Sequence, residues 1–209
     1  MIPWETLARA RVPGSKSELV LHRRDTEFSI RCDGLELMNS RSHGSEDALA
    51  ELSCARIAGA KGVRVLIGGL GMGFSLATAL RVLPQDAEVV LAELVPEVVA
   101  WNRTHLAQLA AAPLTDRRVS VRELDVGQVM RERKGAFDAI VLDVDNGPEA
   151  FTRASNDTLY GPGGLSTAHA ALRDHGVLAV WSAGPDKKID PAAAANLGAN
   201  KDNVLSWKQ

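Results

Sequence analysis

Four glycines fall within six positions directly after a short apolar run. They are Gly68, Gly69, Gly71 and Gly73. Glycines at the turn from a strand into a helix let the backbone approach a ligand closely, and the helix presents its first amide N–H groups to that ligand. The dinucleotide-binding fingerprint G-x-G-x-x-G/A would end on a small residue, but Phe74 or Leu76 stands at that place. The loop therefore predicts a nucleotide-like ligand and makes a nicotinamide-dependent dehydrogenase a weaker alternative.

Acidic residues follow the next three apolar runs. Glu93 lies about twenty residues beyond the glycine loop, where one carboxylate can accept hydrogen bonds from both hydroxyls of a ribose. Asp125 could accept from an adenine amino group, and it equally suits the N-cap of the helix that begins at Val126. Asp143 and Asp145 suit a cationic ligand, and one of them could take a proton from a nucleophile. The residues just after them are also typical of a surface turn.

Composition limits the classes of function. The 209 residues are 45% hydrophobic and 24% charged, which predicts a soluble globular protein. A net charge of −2 argues against a nucleic-acid partner. The two cysteines have no C-x-x-C spacing and the five histidines are scattered, so we expect no metal site. Without an 18-residue apolar run or an apolar leader, we expect a cytoplasmic protein with no membrane partner.

Five apolar runs alternate with helical patterns from residue 63 onward. The predicted strands are residues 63–67, 88–92, 118–121, 137–142 and 176–181. The predicted helices between them are residues 74–83, 96–109, 126–133 and 164–174. Because each run is apolar on both faces, helices must cover both sides of the sheet. This alternation predicts an α/β fold with a doubly wound, Rossmann-like parallel sheet.

The chain is predicted to have three parts. Residues 1–44 form an N-terminal arm with a short antiparallel β element, residues 45–185 form the α/β domain, and residues 186–209 form a tail. Ser45 is the expected N-cap of a helix that ends near Gly59 or Gly62. In the tail, Val204 and Leu205 are among the few strand formers, so either the sheet stops at five strands or the C-terminus is altered.

In their order and spacing, these elements resemble the spermidine synthase-like branch of the class I S-adenosylmethionine-dependent transferases. The similarity covers about residues 18–181 and includes the I-G-G-x-G-x-G loop and Leu142-Asp143 followed by Gly147-Pro148. The resemblance implies a class I methyltransferase-type sheet. It also implies S-adenosylmethionine or its decarboxylated form as the co-substrate, with no metal. The glycine loop would then hold the methionine-derived part of the nucleoside.

The resemblance also assigns roles to single residues. It would place Glu93 on the ribose, Asp125 on the adenine and Asp143 at the reactive end of the cofactor, with Asp143 or Asp145 in the catalytic role. It would place three further side chains on the acceptor substrate. Those are Glu46, Asn146 and Tyr160.

Three features of the polyamine synthases are absent or displaced. Their glycine loop carries an aspartate that contacts the aminopropyl amine, and Gly71 stands there instead. Their second catalytic aspartate corresponds to Asn146 or has shifted to Asp145. His43 and its neighbours stand where those enzymes have a tyrosine that helps to hold the polyamine. Loss of a carboxylate opposite a buried ammonium disfavours a standard diamine site and would admit the carboxylate of intact S-adenosylmethionine.

Three functions therefore remain open. The first is methyl transfer from S-adenosylmethionine, and the second is aminopropyl transfer from the decarboxylated form. Both need a small-molecule acceptor, for which an amine is one candidate. The third is a catalytically inactive homologue that only binds a nucleoside. Since small exposed antiparallel strands often pair across a two-fold axis, we also expect a homodimer.

Overall fold

An antiparallel sheet of four strands opens the chain in a computed structural model that describes residues 2–144, 159–181 and 204–208. The strands are β1 (Glu5–Arg11), β2 (Glu18–Arg24), β3 (Glu27–Cys32) and β4 (Leu35–Asn39), paired in that order. Strands β2 to β4 confirm the predicted antiparallel element. Asp33 and Gly34, both at positive φ, form the tight turn between β3 and β4. Strand β1 goes beyond the prediction.

Strand β1 is held to β2 by contacts between residues that are distant in sequence. On the inner face, Ala10 is buried opposite Leu19. Outside the core, Arg9 forms an ion pair with Glu18. The local sequence of β1 is rich in charges and has few β-branched residues, so the strand cannot be predicted from its local sequence alone.

The larger sheet has six strands in the described part of the chain. They are β5 (Arg64–Gly68), β6 (Glu88–Ala92), β7 (Val119–Arg122), β8 (Phe137–Leu142), β9 (Leu172–Trp181) and β10 (Val204–Lys208). The order is β10-β9-β8-β5-β6-β7, with β5 to β9 parallel and β10 antiparallel to β9. The sheet therefore does not stop at five strands, and Val204 and Leu205 do form part of a strand.

Helices pack on both faces of this sheet. They are α1 (Gly44–Cys54), α2 (Phe74–Val82), α3 (Pro96–Arg103), α4 (Val126–Glu132) and α5 (Pro162–Ala171). Along β5, Val65 and Ile67 face one core, which includes the N-terminal sheet, while Leu66 faces the other core with Val126 and Met130. These strand residues are fully buried, as a sheet covered on both sides requires. The predicted α/β class, with a parallel sheet and an N-terminal antiparallel element, is confirmed.

The strands that follow β5 in sequence lie on both sides of it in the sheet. Strands β6 and β7 follow on one side of β5, and β8 and β9 follow on the other side. At such a reversal the loops after neighbouring strands diverge and leave a crevice at the carboxyl ends of the strands. The glycine loop leaves β5 at this crevice, so the topology places it where a ligand would bind.

Helix α1 differs from the prediction at both ends. His43 rather than Ser45 is the N-cap residue, and the hydroxyl of Ser45 donates to the Glu46 carboxylate at 2.6 Å instead of capping the helix. The helix ends at Cys54, well before Gly59. Beyond that point the backbone continues in tighter turns, in which the Ile57 N–H donates to the Cys54 carbonyl.

Helix α3 ends at Arg103, six residues before the predicted end at residue 109. The next residue, Thr104, leaves the helical conformation, and its hydroxyl donates to the Ala100 carbonyl at 2.8 Å. A threonine hydroxyl that bonds a backbone carbonyl one turn earlier competes with the helical pattern and helps to end it.

Both cysteines are buried in the core, and neither is part of a disulfide bond. Burial raises the pKa of Cys54 to about 12, so its thiol stays protonated at neutral pH. Within the described residues, no helix combines the length and the apolar character that crossing a membrane requires.

Candidate functional site

The glycine loop adopts a backbone that only glycine accommodates easily. Gly69, Gly71 and Gly73 have φ angles of +90°, +51° and +88°. The Gly69 N–H donates to the Ala92 carbonyl at 2.9 Å, which ties the loop to the end of β6. A Cβ at Gly69 would lie 2.2 Å from the Asp143 carbonyl oxygen. The loop therefore packs directly on the backbone that follows β8, with no room for a side chain at residue 69.

Gly69→Ala is expected to destabilise the protein more than Gly34→Ala. Gly34 has nearly the same φ angle, +89°, but no other described atom lies within 4 Å of its Cβ position. Both variants incur the left-handed backbone cost of about 1–2 kcal/mol. Only Gly69→Ala adds overpacking against Asp143, about 1–3 kcal/mol more. Urea unfolding of both variants measures the difference, and equal free energies of unfolding would contradict the close contact.

Gly68 and Gly73 have packing roles beside the loop. A Cβ at Gly68 would lie 2.8 Å from Cγ2 of Val126, so this glycine lets β5 approach α4. A Cβ at Gly73 would lie 3.0 Å from the side-chain oxygen of Asn102 on α3. Of the four glycines predicted to hold the cofactor, only Gly69 and Gly71 are among the described walls of the cavity next to the loop.

Glu93 joins the glycine loop to the start of α3. The side chain is 8% exposed, and its two oxygens accept hydrogen bonds from the Leu70 N–H at 2.9 Å and the Val95 N–H at 2.8 Å. Burial raises the pKa of Glu93 even though these N–H groups favour the charged form. The backbone N–H groups of Leu94 and Gly71 also stabilise the carboxylate. The ribose role of Glu93 stays a prediction. Sequence reasoning missed the tie to the loop.

Asn102 is a second buried polar contact to the loop that sequence reasoning missed. Its side-chain amide donates to the Gly71 carbonyl at 2.8 Å and to the Val98 carbonyl at 3.0 Å. The side chain is 3% exposed. The sequence could have indicated the burial of Asn102, because a residue four positions after the apolar Val98 lies on the same, buried face of the helix.

Asp125 caps helix α4. Its side chain accepts a hydrogen bond from the Gln128 N–H at 3.1 Å, which confirms the N-cap alternative. The same residue lines the cavity beside the loop. The adenine role is compatible with capping and stays a prediction.

Asp143 follows β8 and is bonded to the start of α2. The Ser75 hydroxyl donates to Oδ2 of Asp143. The same hydroxyl oxygen lies 3.5 Å from the backbone carbonyl oxygen of Glu46. Ser75 is 3% exposed. Sequence reasoning missed this contact; the available signal was the position of Ser75 two residues after Gly73, in the first helical turn facing the strand ends. The serine orients the carboxylate and links α1, α2 and β8.

Two of the three predicted substrate residues, Glu46 and Tyr160, lie near this centre. Glu46 is in the first turn of α1, and the Tyr160 hydroxyl donates to the Val144 carbonyl at 3.2 Å. Neither side chain is among the described cavity walls, and their substrate roles stay predictions. Asp145 and Asn146 lie outside the described residues, so the predicted second carboxylate is not placed.

One cavity collects the loop and the acids from four neighbouring strands. Its described walls include Gly69, Gly71, Glu93, Asp125 and Asp143. Apolar side chains from the N-terminal sheet complete the walls, and no Lys, Arg or His side chain is among the described lining residues. Such a cavity is electrostatically suited to a cationic or hydrogen-bond-donating ligand. Among the described residues, no group of three or more His, Cys, Asp or Glu side chains could hold a metal ion.

No protein-family model matches the chain, and no curated protein sequence matches it. Solved structures do match. The spermidine synthase from Thermotoga maritima aligns over 84% of this chain and 56% of its own, with a TM-score of 0.65 at 17% identity. The fold is spermidine synthase-like. It is thus of the class I S-adenosylmethionine-dependent methyltransferase type, as the order of the motifs predicts.

Two further structures agree with this assignment of the fold. A spermidine synthase in complex with the transition state analogue AdoDATO matches with the same TM-score, identity and coverage. A probable spermidine synthase from Corynebacterium glutamicum matches with a TM-score of 0.55 at 18% identity, over 84% of this chain and 62% of its own. The chain thus spans a little over half the length of the spermidine synthases that it matches.

Proposed function

We propose that this chain binds an S-adenosyl nucleoside, either S-adenosylmethionine or its decarboxylated form, and transfers an alkyl group from it to a small-molecule acceptor. One observation carries the proposal: the glycine loop, Glu93, Asp125 and Asp143 leave four neighbouring strands of a spermidine synthase-like fold and line one cavity. In that cavity Glu93 binds the ribose and Asp125 the adenine amino group. The loop holds the methionine-derived part, and Asp143 lies beside the sulfonium.

The protein contributes alignment and charge more than acid–base chemistry. When bound, the nucleoside supplies a carbon that its sulfonium already activates toward a nucleophile. Asp143, oriented by Ser75, balances positive charge at this point and accepts the proton that an amine acceptor releases. Buried side chains of the N-terminal sheet exclude water from the reacting groups.

Two versions of the reaction are supported by different observations. The thioether of Met38, not a carboxylate, lies against Gly71, and this favours intact S-adenosylmethionine and therefore methyl transfer. The likeness to spermidine synthases favours aminopropyl transfer from the decarboxylated form as the second candidate. In either version of the reaction, Asp143 would accept the proton that the acceptor releases.

The test is isothermal titration with S-adenosylmethionine, its decarboxylated form and methylthioadenosine at matched pH and salt. We expect intact S-adenosylmethionine to bind at least as tightly as the decarboxylated form. A tenfold preference for the decarboxylated form, about 1.4 kcal/mol, would select aminopropyl transfer. If a nucleoside binds but no amine acceptor causes release of the thioether nucleoside, the chain is the inactive homologue. If none of the three nucleosides binds, the proposal is refuted.

We also propose that the protein is cytoplasmic and forms a homodimer through the N-terminal sheet, whose outer strands are β1 and β4. Light scattering at micromolar concentration tests the dimer. A mass equal to one chain, 22.3 kDa, would contradict it.

A further inference from the structure

The N-terminal sheet forms an apolar roof over the cavity. The roof residues are Val12, Leu19, Ile30, Leu37 and Met38. The register of β3 and β4 shifts between Ile30 and Arg31, so Met38 pairs with Ile30 and Glu36 pairs with Arg31. Leu37 is the extra residue at this irregularity, which brings two consecutive side chains of β4 to the cavity wall. The roof therefore presents hydrocarbon and one thioether.

Met38 brings the roof into contact with the glycine loop. Its terminal carbon and its sulfur lie 2.6 and 2.9 Å from the position that a Cβ on residue 71 would occupy. Asp143 touches the same loop at Gly69, since its carbonyl lies against that glycine. The described part of the cavity beside Asp143 therefore lies between one carboxylate and an apolar wall.

The carboxylates of the described walls are distributed unevenly. Glu93 and Asp125 accept hydrogen bonds from backbone N–H groups and, in the proposed function, face the nucleoside. Asp143 is the third acid in the described lining, and the roof contributes none. An ammonium group near Asp143 is matched by charge. A second ammonium pressed against the roof would lose its hydration without gaining a partner there.

We infer that the acceptor is a monoamine whose remainder is apolar, an alkyl or aryl amine and not a diamine. The inference rests on the proposed function and specifies its substrate class. In the reaction, the neutral amine nitrogen forms a bond to the carbon attached to the sulfonium. The carbon–sulfur bond breaks with its electron pair going to sulfur, and the proton released by nitrogen passes to Asp143.

The test compares two amines with the same six-carbon chain. Hexylamine and 1,6-diaminohexane are titrated separately into the protein saturated with methylthioadenosine, whose own binding is measured first. We expect hexylamine to bind about tenfold more tightly or better. Equal or tighter binding of the diamine, or no binding of either amine, overturns the inference. Failure of every nucleoside to bind would instead refute the proposed function.

A pair of variants at the roof adds a second readout. Met38→Glu places a carboxylate at the apolar wall, so the affinity ratio of the two amines should shift toward the diamine by about tenfold or more. Met38→Gln has a similar length without the charge and should leave hexylamine the tighter ligand. Methylthioadenosine affinity and thermal unfolding of each variant report on folding. An unchanged ratio in a folded Met38→Glu protein would contradict the role of the roof.

Discussion

Glu93→Ala is expected to abolish nucleoside binding and to lower the free energy of unfolding by several kcal/mol. The Leu70 and Val95 N–H groups would both lose their acceptor in a buried site, at about 1–3 kcal/mol each. The glycine loop would also lose its tie to α3, and the ribose would lose its proposed partner. Urea unfolding and titration with methylthioadenosine measure the two effects separately.

The pH dependence of the Glu93→Ala effect has a defined sign. Because burial raises the pKa of Glu93 in the folded chain, the part of its contribution that depends on protonation is fully present below the pKa of this glutamate in the unfolded chain. That part is lost as pH rises through the pKa in the folded chain. The stability advantage of the wild type over Glu93→Ala should therefore shrink from acid toward neutral pH. Glu132→Ala removes an exposed carboxylate at the end of α4 and serves as the control. Wild-type nucleoside affinity in Glu93→Ala would refute the ribose role.

Asp143→Asn is expected to reduce turnover about a hundredfold or more and to leave methylthioadenosine affinity within about threefold. The amide oxygen of asparagine can still accept the Ser75 hydroxyl, so the local packing is retained. The amide carries no charge and takes no proton from an attacking amine. Methylthioadenosine is the right ligand for the comparison because it is uncharged at sulfur. Turnover is measured as release of the thioether nucleoside, with the best amine as acceptor.

Ser75→Ala provides the matched control for Asp143→Asn. It keeps the carboxylate but removes the hydroxyl that orients it. We expect a smaller loss of turnover, about tenfold, and an altered pH profile, since the carboxylate loses a hydrogen-bond donor that stabilises its charged form. Turnover in Asp143→Asn within threefold of the wild type would show that the charge of Asp143 is dispensable.

The central sheet could be predicted from sequence because its signal is local. Strands β6 and β8 have the predicted bounds, since each is a mainly apolar run whose apolar residues are buried on both faces. The glycine loop and the acids after the strands were equally readable. Parallel strands deliver the residues that follow them to one edge of the sheet, so order along the chain becomes proximity in space.

Other parts of the fold and site depend on contacts between distant residues. Strand β1 requires its pairing with β2, and the tie between Glu93 and Leu70 joins two loops 23 residues apart. The hydrogen bond from Ser75 to Asp143 spans 68 residues. Glutamate and serine at such positions have many uses, and only the three-dimensional arrangement selects one of them.

Three ties hold the glycine loop before any ligand arrives. Gly69 is bonded to the end of β6, Leu70 to Glu93, and Gly71 to Asn102. A loop that is already fixed loses little conformational entropy when a ligand binds, so more of the contact energy is retained as affinity. The amide hydrogens of the loop should therefore exchange slowly even in the free protein, and a nucleoside should change their exchange rates only slightly.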